Sequence, residues 1–391
     1  MMNLPKGFCY AGVACGIKDS EKLDLSLIVS DESAVAAGVY TQNIVRASSI
    51  DWNRSITPTA SFRGLVVNSG NANACTGSQG IQNNQAMAFQ LSKLLETDAN
   101  QVAVLSTGII GVQLPMDRIG SGIQSAFDGL ANGQDAFHSA ATGILTTDQS
   151  EKISTVAGSG YQIAGMAKGA GMIGPKMATM LGIIVSDVDL DMDQAQDMIR
   201  TAADYSFNRI SVEGHTSTND ALILICSGKS GVTLETEASK NDFQQKLNQC
   251  CLELAKKIPA DGEGASHLIQ IKVKGAQNGE EADRIARTIA ASALVKTAVT
   301  GSDPNWGRIV SAAGYAGVQL DPDKIGLKLN GCSLYESGQP VEFDQRSVSQ
   351  RISEQFETMI ELAVGSGEGN ACHWTSDLTV DYVRFNSEYT T

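Results

Sequence analysis

The chain has 391 residues, of which 42% are hydrophobic and 18% charged, and its net charge is −14. A chain of this length predicts two or more packed units, and its composition is that of a globular α/β protein. The acidic surface argues against binding to nucleic acid or to anionic membranes, so we expect neither as a partner.

Short apolar runs alternate along the chain with amphipathic segments. Enrichment in Val, Ile and Leu predicts buried strands at 23–31, 63–68, 102–106, 182–187 and 221–226. Apolar residues at helical spacing predict helices at 82–96, 190–204, 241–257, 282–298 and 346–363. Apolar and polar residues alternate at 267–275 and 376–385, which predicts two half-exposed strands. This order of elements favours helices layered on sheets.

The eight cysteines form no CxxC pair, and the four histidines do not cluster with them. This spacing disfavours a zinc site, and we predict no metal. Scattered cysteines without a disulfide framework are typical of thiols in a reducing compartment. The first ten residues contain no signal-peptide apolar core, and no run of about 18 apolar residues occurs. We therefore predict a cytoplasmic protein.

The most informative segment is a glycine-rich turn at 169–174, followed by Ala178, Thr179 and an apolar strand. A polar threonine directly before a core strand is an unusual structural residue. It suits a nucleophile that becomes potent once the chain is cut in front of it, because an N-terminal threonine carries an α-amino base beside its hydroxyl. The alternative is a threonine whose hydroxyl bonds a local carbonyl.

A second candidate feature is the segment LSTGIIG at 105–111, in which Thr107 and Gly108 follow a predicted strand. A hydroxyl and a backbone N–H that point outward together can form the oxyanion hole that acyl transfer requires. An ordinary strand-ending turn is the alternative, and the residues alone favour it.

The segment KGAGMIGPKMATML at 168–181 resembles the signature of the ornithine acetyltransferase (ArgJ) family. Further family-like segments follow one another over nearly the whole chain, namely KGFCYAGVACGIK (6–18), NSGNANACTG (68–77), LSTGIIG (105–111), LTTD (145–148), TSTND (216–220), DGEGA (261–265), DPNWGR (303–308) and NSEYTT (386–391). The resemblance implies an α-β-β-α layered fold, similar to that of N-terminal nucleophile hydrolases, with a smaller α/β unit in the C-terminal half.

The resemblance also implies an activity. The precursor would cleave itself between Ala178 and Thr179 into an α chain, 1–178, and a β chain, 179–391. Thr179 would then carry an acetyl group from N2-acetyl-L-ornithine to L-glutamate, in arginine biosynthesis, with Thr107 and Gly108 as the oxyanion hole. An amide is broken and an amide is remade, so no cofactor is expected. Bifunctional members also accept acetyl-CoA, and the sequence does not distinguish the two types. The implied assembly is a heterotetramer of two α and two β chains.

The substrate has a carboxylate and a distal ammonium, which call for a fixed cation and a fixed anion. Lys168 and Glu263 match the family's substrate-binding lysine and glutamate. A solvated surface lysine and a helix-capping carboxylate are the alternatives. Thr146 and Thr147 together cover a binding threonine, and the sequence does not separate them. The C-terminal binding pair of the family corresponds to Asn386 and Thr391, which must fold back from the tail to reach the site.

The chain departs from the family pattern near several of these positions. Lys176 replaces an asparagine, Glu213 and His215 replace aspartates, and the pair Ser266-His267 replaces Thr-Lys. These departures bear on substrate specificity and on the rate of cleavage. Two other functions stay open from the sequence. One is an N-terminal nucleophile amidohydrolase or aminopeptidase that passes the acyl group to water, and the other is an uncleaved paralogue that only binds amino acids.

Overall fold

The structure, a computed structural model, describes residues 2–18, 21–174 and 180–388. It divides into two compact units. The larger comprises the described residues up to Asn208 together with His215–Ile258, and the smaller comprises Arg209–Gly214 and the described residues from Pro259 onward. The prediction of two units, with the smaller one in the C-terminal half, is confirmed.

Strands and helices alternate through both units. In the described residues the strands are β1 (Phe8–Val13), β2 (Leu25–Tyr40), β3 (Thr59–Asn71), β4 (Val102–Ile109), β5 (Lys152–Ala157), β6 (Gln162–Lys168), β7 (Leu181–Ser186), β8 (Ile210–Ser211), β9 (Ala221–Cys226), β10 (Leu268–Ala276), β11 (Gly326–Leu329), β12 (Cys332–Glu336), β13 (Gln339–Pro340), β14 (Glu357–Ala363) and β15 (Gly369–Ser376). The helices are α1 (Ser48–Ile56), α2 (Gly77–Leu94), α3 (Met116–Asp128), α4 (Gln134–Gly143), α5 (Met192–Tyr205), α6 (Glu237–Ala260), α7 (Gly279–Ala291), α8 (Ala293–Thr300), α9 (Trp306–Gly314), α10 (Gln345–Glu354) and α11 (Val380–Glu388). The five buried strands predicted from the sequence are all present.

The larger unit contains one mixed sheet in the order β4-β3-β2-β9-β7-β6-β5, with β1 paired to β2. β4 and β6 are five strand positions apart, about 24 Å if the sheet were flat. Yet the Nζ of Lys168, at the end of β6, lies 3.3 Å from the Oγ1 of Thr107 in β4. The sheet therefore curls back on itself, and the pairing of β2 with β3 is irregular between Val29 and Ala34.

Two layers of the curled sheet enclose one core, to which Val67 of β3 and Ile183 of β7 both contribute. Helix α2 packs on the outer face of β3 and β4 through side chains such as Met87, and helix α3 packs beside it on β1 and β2 through side chains such as Ile123. On the other layer, Leu254 of α6 lies close to the backbone of β6. The α-β-β-α order of layers implied by the family resemblance is confirmed within this unit.

The smaller unit is built on a second mixed sheet in the order β13-β12-β11-β14-β10-β15-β8. Its central strands β10 and β14 are parallel, and β15 runs antiparallel to β10. Apolar residues of α7, including Ile285 and Ile289, pack into its core. This unit is also a mixed α/β layer structure.

The helix predicted over 346–363 is wrong in its second half. α10 ends at Glu354, and β14 follows as a strand that pairs in parallel with β10. The side chains of Thr358, Ile360 and Leu362 are buried at a period of two, whereas Phe356 is 49% exposed. A short apolar run fits either period, and sheet pairing selects the strand. The helix predicted over 282–298 is interrupted at Ser292, whose hydroxyl accepts the Val295 N–H and caps α8.

The half-exposed strand predicted over 376–385 is also wrong. β15 ends at Ser376, and α11 begins at Val380. The Thr379 hydroxyl accepts the N–H of Tyr382, as an N-cap does three positions before its donor. The overlooked signal was this threonine with Asp381 in the first turn, which favours a helix start.

Candidate active site

Lys168 is a buried cation at the end of β6, with only 2% of its surface exposed. Its Nζ donates hydrogen bonds to Thr146 Oγ1 at 2.7 Å and to Thr107 Oγ1 at 3.3 Å. The alternative of a solvated surface lysine is therefore excluded. Three of the candidate residues, from three separate segments of the chain, meet at this ammonium group.

Asp148 holds the loop that supplies Thr146, a role that was not predicted from the sequence. Its fully buried carboxylate accepts hydrogen bonds from Lys152 Nζ at 2.7 Å and from the Gly169 N–H at 2.6 Å, and it lies 3.8 Å from Lys168 Nζ. Burial opposes its ionisation, but the charges of Lys168 and Lys152 outweigh burial and lower the pKa of Asp148 to about 2. The carboxylate thus stays ionised and fixes the position of Lys168. The signal that could have identified it is its place in LTTD.

Thr147 lies in the same loop and is half-buried. The Lys168 ammonium hydrogen-bonds to its neighbour Thr146, and the Thr146 N–H donates to Asp148 at 3.1 Å. These two contacts tie Thr146 to the Lys168 ammonium group and to the Asp148 carboxylate.

Gly108 occupies a backbone position that only glycine adopts readily, with φ +134°. A Cβ here would lie 2.3 Å from the carbonyl carbon of Gly70, in the NSGNANACTG segment. β3 and β4 run side by side up to this point, where Gly70 is paired with Gly108. The adjacent Thr107 is 3% exposed. This close approach of β3 to β4 fixes the backbone that carries the Thr107 hydroxyl and the Gly108 N–H near the end of β4.

Ala178 and Thr179, the predicted cleavage point, and the departure Lys176 lie outside the described residues, as does Thr391. The described chain resumes at Met180, directly after the cleavage point. Leu181, at the start of β7, is paired with Lys168 on one side and with Ala221 on the other. The chain directly after Thr179 is therefore bracketed by β6 and β9.

Two residues of the TSTND segment, neither of them predicted as a site residue, join this region. Asn219 Nδ2 donates to the carbonyls of Ser106 and Ala72, each at 2.7 Å. Asp220 Oδ1 accepts the N–H of Met180 at 2.8 Å. Burial raises the pKa of Asp220 well above its ordinary value, although the Met180 N–H and other polar contacts partly offset the effect of burial.

Glu263 and Asn386 meet within the smaller unit. Asn386 Nδ2, on α11, donates to Glu263 Oε2 at 3.1 Å. The start of α11 rests on the DGEGA loop, where the Thr379 hydroxyl donates to the Gly264 carbonyl at 2.6 Å. Gly264 has φ +67°, and a Cβ there would lie 2.5 Å from the Tyr382 nitrogen. The tail thus reaches Glu263 as a docked helix.

The departures Ser266 and His267 have structural partners in the smaller unit. The backbone N–H groups of both donate to Asp377 Oδ1. Hydrogen bonding to Asp377 raises the pKa of His267, whose other ring nitrogen lies 3.0 Å from the Ile352 carbonyl. Glu213 and His215 are both exposed. The Ser266-His267 pair therefore anchors the start of β10 through hydrogen bonds to Asp377 and Ile352.

Within residues 2–18, 21–174 and 180–388, no helix has both the length and the apolar character needed to cross a membrane. The same part of the chain contains no group of three or more His, Cys, Asp or Glu side chains arranged to hold a metal ion.

Comparison with known proteins agrees with the resemblance seen in the motifs. An arginine biosynthesis bifunctional protein ArgJ from Rhodopirellula baltica is 47% identical, over 99% of this chain and 96% of its own. Its counterpart from Gloeobacter violaceus is 42% identical, over 99% and 97% respectively. The crystal structure of the protein of that name from Bacillus halodurans is 37% identical with a TM-score of 0.50, and covers 52% of this chain and 96% of that one. The ArgJ family model matches residues 9–391, and the chain belongs to the ArgJ family.

Proposed function

We propose that this protein is a self-cleaving N-acetyltransferase that moves an acetyl group from N2-acetyl-L-ornithine to L-glutamate in arginine biosynthesis. Its curated relatives are named arginine biosynthesis bifunctional proteins, and the chain is an acetyltransferase of that family. The observation that supports self-cleavage and acetyl transfer is the convergence of Thr107, Thr146 and Lys168, beside the strand that begins two residues after Thr179.

The first step of the proposal is cleavage. The Thr179 hydroxyl attacks the carbonyl carbon of Ala178, and the Thr107 hydroxyl and the Gly108 N–H stabilise the oxyanion. The Thr179 nitrogen takes a proton as the C–N bond breaks, which leaves an ester on Thr179 Oγ1. Water hydrolyses that ester and releases chains 1–178 and 179–391. The solved Bacillus halodurans chain corresponds to about half of this one, which supports a two-chain product.

The second step is acetyl transfer in two halves. The new α-amino group of Thr179 takes the hydroxyl proton as Oγ1 attacks the acetyl carbonyl of acetylornithine, because a terminal amine ordinarily titrates at about pH 8 and is partly neutral at pH 7. That proton passes to the departing amine, and ornithine leaves. The α-amine of glutamate then attacks the acetyl ester, and Thr179 Oγ1 recovers its proton. Acetyl-CoA in place of acetylornithine would make the enzyme bifunctional, as its relatives are named.

The charged groups of the substrate are assigned by residue type. Lys168 offers a buried ammonium for the carboxylate, with Thr146 beside it. Glu263 offers a carboxylate for the distal ammonium of ornithine, with Asn386 at its side and Thr391 as the other tail residue. A cytoplasmic heterotetramer of two α and two β chains completes the proposal.

Two measurements on the purified protein test it. Intact mass should give two fragments that meet at 178/179, and Thr179→Ala should stay uncut and inactive while Thr179→Ser still cleaves. Acetyl transfer from acetylornithine to glutamate should exceed the release of free acetate. Cleavage with acetate as the main product would instead identify an amidohydrolase or aminopeptidase. An uncut chain that binds amino acids without turnover would identify a binding paralogue.

A further inference from the structure

Asp220 is a fully buried acid that the proposed chemistry does not use. None of its surface is exposed, and its Oδ1 accepts the N–H of Met180 at 2.8 Å. The Met180 nitrogen is bonded to the carbonyl carbon of Thr179, so this hydrogen bond restrains the peptide group that directly follows the proposed nucleophile.

The neighbouring residue makes contacts in the opposite layer of the sheet. Asn219 Nδ2 donates to the carbonyl of Ser106, the residue before Thr107, and to that of Ala72 in the adjoining segment. Asn219 is 5% exposed, and its own N–H donates to Ser217 Oγ at 3.0 Å. Two consecutive residues thus bind the strand that carries the oxyanion pair and the strand that begins after the nucleophile.

The chemical state of Asp220 fits an acceptor rather than a base. Burial disfavours its charged form and raises its pKa. The positive charge of Lys168 acts in the opposite direction, but the Lys168 ammonium group lies 3.8 Å from another carboxylate, that of Asp148. A neutral carboxylic acid still accepts a hydrogen bond at its carbonyl oxygen. In this neutral form the carboxyl holds the Met180 N–H without serving as a base.

We propose that Asp220 is a positioning residue for self-cleavage. It holds the start of β7 through Met180, while the adjacent Asn219 holds the strand of the oxyanion pair through Ser106, so that the two strands keep a fixed distance. The inference rests on the proposed function, since it assumes cleavage before Thr179. Displacement of reacting groups by about 1 Å can cost about 100-fold in rate. Loss of the Asp220 acceptor should therefore slow cleavage strongly without touching a reacting atom.

The chain offers a matched control at the other end of the same strand. Asp187, which is 2% exposed, accepts the Gln162 N–H at 2.8 Å and the Lys6 N–H at 3.1 Å, directly after β7. Asp187→Ala removes a buried carboxyl that binds backbone amides, as Asp220→Ala does, but far along β7 from the cleavage point.

The experiment follows the cleaved fraction by intact mass after synthesis of the full chain, with circular dichroism as the check on folding. The wild type is measured first, and a wild type that does not cleave overturns the proposed function rather than the role of Asp220. Asp220→Ala should cleave about 100-fold more slowly than the wild type, and Asp187→Ala within about threefold of it. Wild-type cleavage in folded Asp220→Ala, or equal losses in both variants, would overturn the inference.

Asp220→Asn keeps the acceptor and lacks the acidic proton, so it separates positioning from acid–base work. It should restore cleavage to within about threefold of the wild type, with the same dependence on pH. This comparison holds even where Asp220→Ala fails to fold. A folded Asp220→Asn that cleaves about 100-fold more slowly than the wild type would show that the carboxyl transfers a proton, and the positioning role would be wrong.

Discussion

The Nζ of Lys168 donates a 2.7 Å hydrogen bond to the Oγ1 of Thr146, a residue 22 positions earlier in the chain. The same ammonium group donates to Thr107 Oγ1, and Asp148 Oδ2 lies 3.8 Å from it. A flexible lysine side chain is thereby held in one geometry before any substrate is present. Such preorganisation reduces the entropy that substrate binding must overcome.

The pair Thr146 and Thr147 provides a matched comparison for substrate binding. Thr146→Ala removes the hydroxyl that Lys168 contacts, so it should raise KM for acetylornithine about 12- to 160-fold, as loss of one hydrogen bond to a charged group predicts. Thr147→Ala should change KM by less than half as much. Steady-state kinetics on cleaved enzyme measures both, and a larger effect at Thr147 would reverse the assignment.

Thr107→Ala should act on the transition state rather than on binding. Loss of an oxyanion donor raises the barrier by about 2.7–4 kcal/mol, so kcat should fall about 100- to 1,000-fold with KM nearly unchanged. Self-cleavage should slow in parallel because it uses the same pair. Thr107→Ser retains the hydroxyl and serves as the control. An unchanged kcat in Thr107→Ala would show that LSTGIIG is only a turn.

Glu263→Gln should lower kcat/KM for acetylornithine more than for glutamate, because only acetylornithine carries a distal ammonium. The expected loss for acetylornithine is about 1.5–3 kcal/mol in kcat/KM. Asp261→Asn removes a negative charge from the same loop and controls for long-range electrostatics. Equal losses for both substrates in Glu263→Gln would indicate a structural role for this carboxylate.

Glu263 and Asn386 should behave as a coupled pair, since they share the 3.1 Å hydrogen bond. In a double-mutant cycle, Glu263→Gln and Asn386→Ala should be non-additive in kcat/KM by about 0.5–3 kcal/mol. Strict additivity would mean that the helix α11 contributes nothing through this contact.

Asp148 makes stability depend on pH in the acid range. Its folded pKa of about 2 lies below the unfolded value near 3.9, so between these values the unfolded state binds more protons and stability rises with pH. The contribution, on the order of 2 kcal/mol, is present in full above about pH 4 and is lost as pH falls through 2.

Urea unfolding of the wild type and of Asp148→Asn between pH 2 and 7 measures this contribution. The difference in unfolding free energy should be constant at neutral pH and should shrink below about pH 4. At neutral pH the variant should be less stable by about 3–5 kcal/mol, because Lys152 and Lys168 then lose their buried counter-charge. A difference that does not change with pH would mean that the carboxylate titrates normally.

Local sequence was sufficient to predict the elements that have a clear period and a clear boundary. ALILIC is a strand at 221–226 as predicted, because a run of 6 residues rich in Ile and Leu between polar residues has the length of a buried strand and is too short for a typical helix. The family motifs likewise identified the candidate residues, since their types and order are carried by local sequence. Where two periods fitted equally, as at 357–363, pairing with β10 chose the strand. At Thr379, the hydrogen bond from the Tyr382 N–H caps a helix start, and the segment after it is a helix although its apolar and polar residues alternate as in a strand.

Only the tertiary structure decided which of these residues meet. Thr107 and Lys168 are 61 positions apart and lie on strands that do not pair, and they come together because the sheet curls around a shared core. The same curl buries Lys168, which looks like a surface lysine in the sequence, beside Asp148, and it places Asn219 and Asp220 between the two layers. Local sequence encodes the propensity and the buried face of each element. The distance between elements follows from how the buried faces pack together, which no single segment specifies.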